Sequence, residues 1–175
     1  MKIIKTQDSG YQNEITELYI EAFATGSSNQ HIDRVELDSY IKTILEKGYA
    51  LLAIENSQVV GAILCHPLLL DKLLPEQIRQ NFSIDKCVYV AEMMVGALTR
   101  GQGIGNKLMV RFFETVDKLR YSDAFIRVWD QNIPALNLYR KMGFEPIATI
   151  EQIKKKADGN GTFVMNKIYL HKKLH

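Results

Sequence analysis

The sequence predicts a mixed α/β fold, a β-sheet of about seven strands flanked by helices on both faces. Three observations predict it. Seven short runs carry strand-like apolar patterning, and four longer ones carry apolar residues at helical spacing. Two pairs of strand-like runs are joined by a short turn, which makes antiparallel hairpins and excludes an all-parallel sheet. The helices alternate with the strands, so both faces of the sheet need cover.

The elements follow in order. Lys2 to Thr6 reads as a first strand. Tyr11, Ile15, Leu18, Tyr19, Ala22 and Phe23 recur at helical spacing, and Ala24 to Gln30 is a polar loop with Gly26-Ser27-Ser28-Asn29. Leu37, Tyr40, Ile41, Ile44 and Leu45 mark a second helix, with Gly48 placed to end it. Tyr49 to Glu55 and Val59 to Leu69 form a hairpin across Asn56-Ser57-Gln58. Asp71 to Phe82 is an insert with a short helix beginning near Pro75. Cys87 to Val95 is almost continuously apolar and reads as a central buried strand. Ile104, Leu108, Met109, Phe112, Phe113, Val116 and Leu119 make one face of a third long helix. Ala124 to Trp129 is a strand, and Ala135 to Met142 a helix opened by Pro134 and closed by Gly143. Ile147 to Ile153 and Thr162 to Leu170 form the last hairpin across Asp158-Gly159-Asn160-Gly161.

The chain has 175 residues, a length that suits one domain over 1–175 with a helical insert at about 71–82. Its composition, 46% apolar and 24% charged, excludes a disordered chain and a disulfide scaffold. Lys and Arg number 22 against 20 Asp and Glu, so no basic excess points to nucleic acid. The local run Lys154-Lys155-Lys156 is expected to be solvated near a turn. Cys65 and Cys87 lie in apolar runs without zinc-ligand neighbours and read as reduced core thiols, which suits a cytoplasmic protein. No signal and no membrane span are expected: Met1 to Lys5 leads into polar sequence, and no apolar run reaches about 18 residues. His31, His66, His171 and His175 share no ligand spacing, so no metal is expected; His66 beside Pro67 is expected to be structural.

The informative segment is Arg100-Gly101-Gln102-Gly103-Ile104-Gly105-Asn106, between the most apolar strand and the longest helix. Glycines permit positive φ and close backbone approach, and a helix N-terminus offers unpaired N–H groups with partial positive charge. Together they suit a phosphate or pyrophosphate. A Walker A loop would end in Gly-Lys-Ser/Thr, which Gly105-Asn106-Lys107 does not supply. A dinucleotide fingerprint would need a third glycine where Asn106 or Leu108 stands. It also needs an acid about 20 residues on, and Asp130 lies roughly five beyond that.

Arg100-x-x-Gly103-x-Gly105 instead resembles the acyl-CoA pyrophosphate loop of the GNAT acetyltransferase superfamily. Met93-Met94-Val95 ends the preceding strand at the spacing of that family. Asn132-x-x-Ala135-x-x-Leu138-Tyr139-x-Lys141-x-Gly143-Phe144 resembles its second signature. The resemblance covers Tyr89 to Phe144. It implies a centrally splayed, GNAT-like acyl-CoA N-acyltransferase sheet, with acetyl-CoA as co-substrate entering between the fourth and fifth strands. Met93, Met94 and Val95 would present the backbone edge to the pantetheine arm. The amides of Gly101, Gln102, Gly103, Ile104, Gly105 and Asn106 would hold the pyrophosphate. Arg100 would add charge there or brace the turn. Asn132 would bond the pantetheine amides while also capping its helix. Tyr139 stands where the family's proton donor to the leaving thiolate stands, and the amide of Met94 or Val95 would stabilise the oxyanion.

Glu92 is the one acid in Val88-Tyr89-Val90-Ala91-Glu92-Met93-Met94-Val95. In such a run it either faces a cleft or is desolvated with a raised pKa. It is the candidate general base; a salt-bridged or ammonium-binding carboxylate is the alternative. Strand alternation sets it on one face with Val90 and Met94, unless a bulge intervenes.

The resemblance implies an N-acetyltransferase whose acceptor mouth is walled by Phe23 to Ile32, Asp71 to Phe82 and Lys154 to Phe163. Trp129 to Gly143 is similar to polyamine acetyltransferases, so a small amine or polyamine acceptor is expected. A protein N-terminus or lysine, or a non-catalytic acyl-CoA-binding role, are the alternatives. A homodimer through the last hairpin is compatible with the family.

Overall fold

The computed structural model describes residues 1–24 and 28–175. The sequence-predicted loop at 24–30 therefore lies partly outside the described residues. The strands are β1 (Lys2–Thr6), β2 (Tyr49–Glu55), β3 (Gln58–Pro67), β4 (Cys87–Val95), β5 (Asp123–Trp129), β6 (Glu145–Lys155) and β7 (Thr162–Lys173). The helices are α1 (Gln12–Ala24), α2 (Arg34–Lys47), α3 (Glu76–Asn81), α4 (Ile104–Thr115) and α5 (Ile133–Lys141). One seven-stranded sheet runs β1-β2-β3-β4-β5-β7-β6. Every neighbouring pair is antiparallel except the parallel β4–β5 pair at its centre.

Alternation along the strands feeds two cores. Leu52, Leu64, Tyr89 and Phe125 meet Ile15, Leu18, Ile41 and Ile44 from α1 and α2. Leu51, Ile63, Val88 and Ile126 meet Leu108, Phe112, Leu136 and Tyr139 from α4 and α5. The amphipathic spacing of each helix thus covers one face, as the sequence predicts. Asp33 caps α2 by accepting from the Glu36 amide, and Asn132 caps α5 by accepting from Ala135 at 3.3 Å. Asn56 and Ser57 adopt positive φ in the β2–β3 turn, as a tight hairpin needs.

Several boundaries differ from the sequence reading. β3 ends at Pro67, and residues 68–70 form a 3₁₀ turn, because Pro67 has no N–H to extend the ladder. α4 stops at Thr115, where Val116 turns extended, so Leu119 is fully exposed and belongs to no helical face. α5 begins at Ile133, since the Asn132 cap precedes Pro134 in its first turn. The last hairpin is longer at both ends than predicted. Cys65 and Cys87 are buried free thiols. No described helix is long and apolar enough to cross a membrane.

The centre of the sheet opens. β4 and β5 pair only from Cys87↔Asp123 to Val90↔Ile126. Beyond that point each is held by its other neighbour, β4 by β3 as far as Val95↔Gly61 and β5 by β7 as far as Trp129↔Lys167. The two strands therefore diverge with their outer pairing intact. The divergence starts where the β3–β4 register slips, with Leu64 opposite Glu92 but Cys65 opposite Val90. Ala91 is the extra residue, and such a bulge bends and twists its strand.

Gly61 sits where α4 crosses β3. A Cβ there would lie 2.9 Å from Ile104 Cγ2, 3.2 Å from Leu108 Cδ1 and 3.2 Å from the Met94 carbonyl oxygen. This close approach sets the height of the α4 N-terminus over the sheet. Gly61→Ala is expected to lower the unfolding free energy by about 1–3 kcal/mol. Ile104→Ala should partly relieve it, giving a coupling of about 0.5 kcal/mol or more in a urea-unfolding double-mutant cycle. Strict additivity would contradict the close approach.

Candidate functional site

The loop after β4 ends in a set of open amides. Gly101 and Gly103 take φ of 78° and 76°, with no atom within 4 Å of an added Cβ. Gly103 is the α4 N-cap, no side chain caps the helix, and the first backbone bond is Lys107 N–H to the Gly103 carbonyl at 3.1 Å. The amides of Gly101 to Asn106 have no hydrogen-bond partner among the described residues. Unpaired N–H groups at the positive end of a helix, above clear space, suit a phosphate group. Gly105 differs: its Cβ would meet Leu138 Cδ2 at 3.3 Å and Met93 Cε at 3.5 Å, so its smallness serves the packing of α4 against β4 and α5.

The loop is braced from within. Arg100 Nε donates to the Val95 carbonyl at 3.3 Å and Gln102 Nε2 to that of Leu98 at 3.2 Å. Glu21 on α1 accepts from the Ala97 amide at 2.7 Å. Of the two roles open to Arg100, bracing is the one this geometry carries. Ile104 is buried against the α4 core and offers only its amide.

The split between β4 and β5 is a cavity of about 100 Å³ that brings together Ala91, Glu92, Met93, Asn132, Tyr139 and Lys167. The two predicted catalytic residues therefore share one space. Met94 does not join it; its side chain is buried in the α1–α2 core, leaving only its backbone toward a ligand. Met93 and Val95 pack on the α4–α5 side. Asn132 commits its Oδ1 to the α5 cap, so its NH₂ is the group left for a ligand. Tyr139 is 4% exposed, and its ring lies 6.3 Å from that of Phe144. Burial, and then the charge of Glu92, raise its pKa, so the hydroxyl stays protonated.

The bulge corrects the expected placement of Glu92. Val90 faces the α4–α5 core, whereas Glu92 turns to the α1–α2 side, sharing that face with Met94 but not with Val90. Tyr40 of α2 donates to Glu92 Oε1 at 3.0 Å. Burial raises the Glu92 pKa, while Lys167, the Tyr40 hydrogen bond, Arg127 and Lys154 pull it back. Lys167 is itself lowered to about 8 by burial, against the attraction of Glu92. Lys154 is lowered in the same way. The expectation that the whole 154–156 run is solvated thus fails at Lys154, because strand alternation turns it inward while Lys155 and Lys156 stay exposed.

Arg127 lies one residue past the last β4–β5 pair. Its Nη1 donates to Asp71 at 3.2 Å and to Tyr169 at 2.7 Å, and Tyr169 donates to Asp71 at 2.7 Å. Asp71 is 6% exposed, so the ion pair is buried and fully bonded on that edge. The sequence reading missed Tyr40, Arg127, Asp71 and Tyr169. An arginine inside an apolar strand was the available signal; its partners lie 56 and 42 residues away. His66 Nδ1 lies 2.8 Å from the Pro67 carbonyl, and burial lowers its pKa, which suits a neutral, structural imidazole.

Two of the predicted walls meet. His31 N–H donates to the Lys155 carbonyl at 2.9 Å and Ala157 N–H to that of Asn29 at 3.0 Å, which ties the stretch after α1 to the last hairpin.

The fold agrees with that of known proteins. The chain matches over 99% of its length a ribosomal-protein-alanine N-acetyltransferase from Brucella melitensis, at 18% identity, 99% cover of that chain and a TM-score of 0.73. It matches yncA from Salmonella typhimurium, whose structure holds its cofactor acetyl-CoA, at 17% identity, 100% and 95% cover and a TM-score of 0.73. An N-acetyltransferase from Staphylococcus aureus Mu50 matches at 15% identity, full cover of both chains and a TM-score of 0.73. At these identities the likeness shows the fold. The family model that describes the acetyltransferase (GNAT) family matches residues 12–144, and the chain belongs to that family.

Proposed function

We propose that the chain transfers the acetyl group of acetyl-CoA to the nitrogen of a small primary amine, inside the split between β4 and β5. The observation that carries this reading is the joint presence of Glu92 and Tyr139 in one cavity, next to an open amide cradle. Acetyl-CoA supplies an activated thioester. The amides of Gly101 to Asn106 fit its pyrophosphate, and the β4 edge beyond Val90 fits its amide-bearing arm by strand addition.

Glu92 takes the proton that the acceptor nitrogen must lose as it bonds to the acetyl carbon. Its raised pKa makes it a stronger base than a surface glutamate. Tyr139 donates a hydrogen bond, and finally a proton, to the sulfur as the carbon–sulfur bond breaks. The two steps are coupled: burial and, after it, the Glu92 charge raise the Tyr139 pKa, and a proton arriving on Glu92 removes the second of these. Tyr139 therefore becomes more acidic when the sulfur needs its proton. A non-catalytic role leaves this pair unexplained, and the hollow under α2 has a volume that suits a small acceptor.

Gly103→Asp should weaken acetyl-CoA binding at least about tenfold relative to Gly103→Asn in calorimetry, since a charge of the wrong sign enters the cradle. Both residues tolerate the left-handed backbone, so stability should be similar; equal affinities would remove the cradle. Glu92→Gln should lower kcat by about 100-fold or more. Tyr139→Phe should lower it by about 10–100-fold with little change in acetyl-CoA affinity; undiminished turnover would exclude either role. In the unaltered protein kcat/KM should fall as pH drops through an apparent pKa above the ordinary glutamate range, because the base must be ionised. Lys167→Met removes the cation that most favours the Glu92 carboxylate, so this limb should move to higher pH. A limb that stays in place would separate it from Glu92.

A further inference from the structure

Resting on the acetyl-transfer reading, we infer that the acceptor is an amino-carboxylate with an apolar body, an apolar α-amino acid being the simplest member, whose carboxylate is held by Arg127. A second cavity of about 770 Å³ lies beneath α2, and Tyr40, Ile44, Leu70, Leu73, Tyr89 and Arg127 are among its walls. That volume is in the range of small-molecule sites. Two residues link it to the split. Arg127 lines both cavities, and Tyr40 of the second donates to Glu92 of the first. A molecule seated beneath α2 lies against Arg127, and its amine reaches Glu92 by passing Arg127 into the split.

Arg127 has hydrogen-bonding capacity to spare. Asp71 and Tyr169 engage Nη1, and no described residue accepts from Nη2 or Nε. Among the described residues the only fully enclosed side-chain polar atom without a partner is the Tyr49 hydroxyl, so the free edge of this guanidinium reaches open space. Two parallel N–H groups on that edge match the two oxygens of a carboxylate.

The charge balance selects the same class. Arg127, Lys154 and Lys167 act on Glu92, and Asp71 pairs with Arg127, three cations against two carboxylates, which leaves one net positive charge in the cluster. A polyamine would bring further positive charge into it. A molecule with one ammonium and one carboxylate brings none, and places each group beside its opposite. Ile44, Leu70 and Leu73 offer its remaining surface an apolar wall.

The test compares matched acceptors on the full chain with acetyl-CoA: L-phenylalanine against its amide, L-methionine against its amide, and spermidine. Rates are referred to the unprotonated amine, because the amides have lower amine pKa values. The acids are expected to show at least tenfold higher kcat/KM than their amides, mainly through KM, and to exceed spermidine. Arg127→Lys, which keeps the buried charge but loses the fork, should bring the acid-to-amide ratio toward one. Equal use of acid and amide, or preference for spermidine, overturns the carboxylate site and leaves acetyl transfer standing. Transfer to none of these acceptors overturns both. The comparison on the unaltered protein is decisive even if Arg127→Lys folds poorly.

Discussion

The divergence of β4 from β5 is the constraint on which the site depends. A central sheet edge carries N–H and C=O groups that must find partners. Up to the Val90–Ile126 pair they find them in each other. Past it, β3 and β7 hold the strands apart and the inner edges face a cavity. An extended, amide-bearing molecule is the natural complement of such an edge. The Ala91 bulge does two things in one step: it helps to open the split and turns Glu92 away from the α4–α5 core, toward α2. With unbroken alternation through Ala91 the carboxylate would lie with Val90, on the α4–α5 side of the sheet.

The cost of burying Glu92 is partly offset by its neighbours. The hairpin of β6 and β7 contributes Lys154 and Lys167, β5 contributes Arg127, and α2 contributes the Tyr40 hydroxyl. Each cation is itself partly desolvated, and the lowered pKa of Lys167 records the same burial from the other side. The Arg127–Asp71–Tyr169 cluster is a further anchor. It ties the segment after β3 to β5 and β7, so the floor of the larger cavity is built from the residues that set its charge.

The sheet, its helices and the cofactor loop were legible because their signals are local. Helical and strand periodicity, Gly103 in a left-handed N-cap and Asn132 before Pro134 each act within a few residues. Tyr139 was marked by a family pattern, and Glu92 as the one acid in an apolar strand. The face of Glu92 was not, because one bulged residue reverses the alternation on which that inference rests. On the acceptor side the wall segments were legible, but the polar cluster among them was not. Asp71 and Tyr169 are 98 residues apart and meet only through the topology. Lys154 sits in a run that reads as solvent-facing, and only the pairing of β6 with β7 turns it inward.

The most direct test of the split as the acetyl-CoA site is amide hydrogen exchange, with and without acetyl-CoA. Exchange should slow in two separate stretches, residues 91–95 at the open β4 edge and 101–106 in the glycine loop, with little change in β1 and β2. Protection of the loop alone, with the β4 edge exchanging as before, would contradict the account.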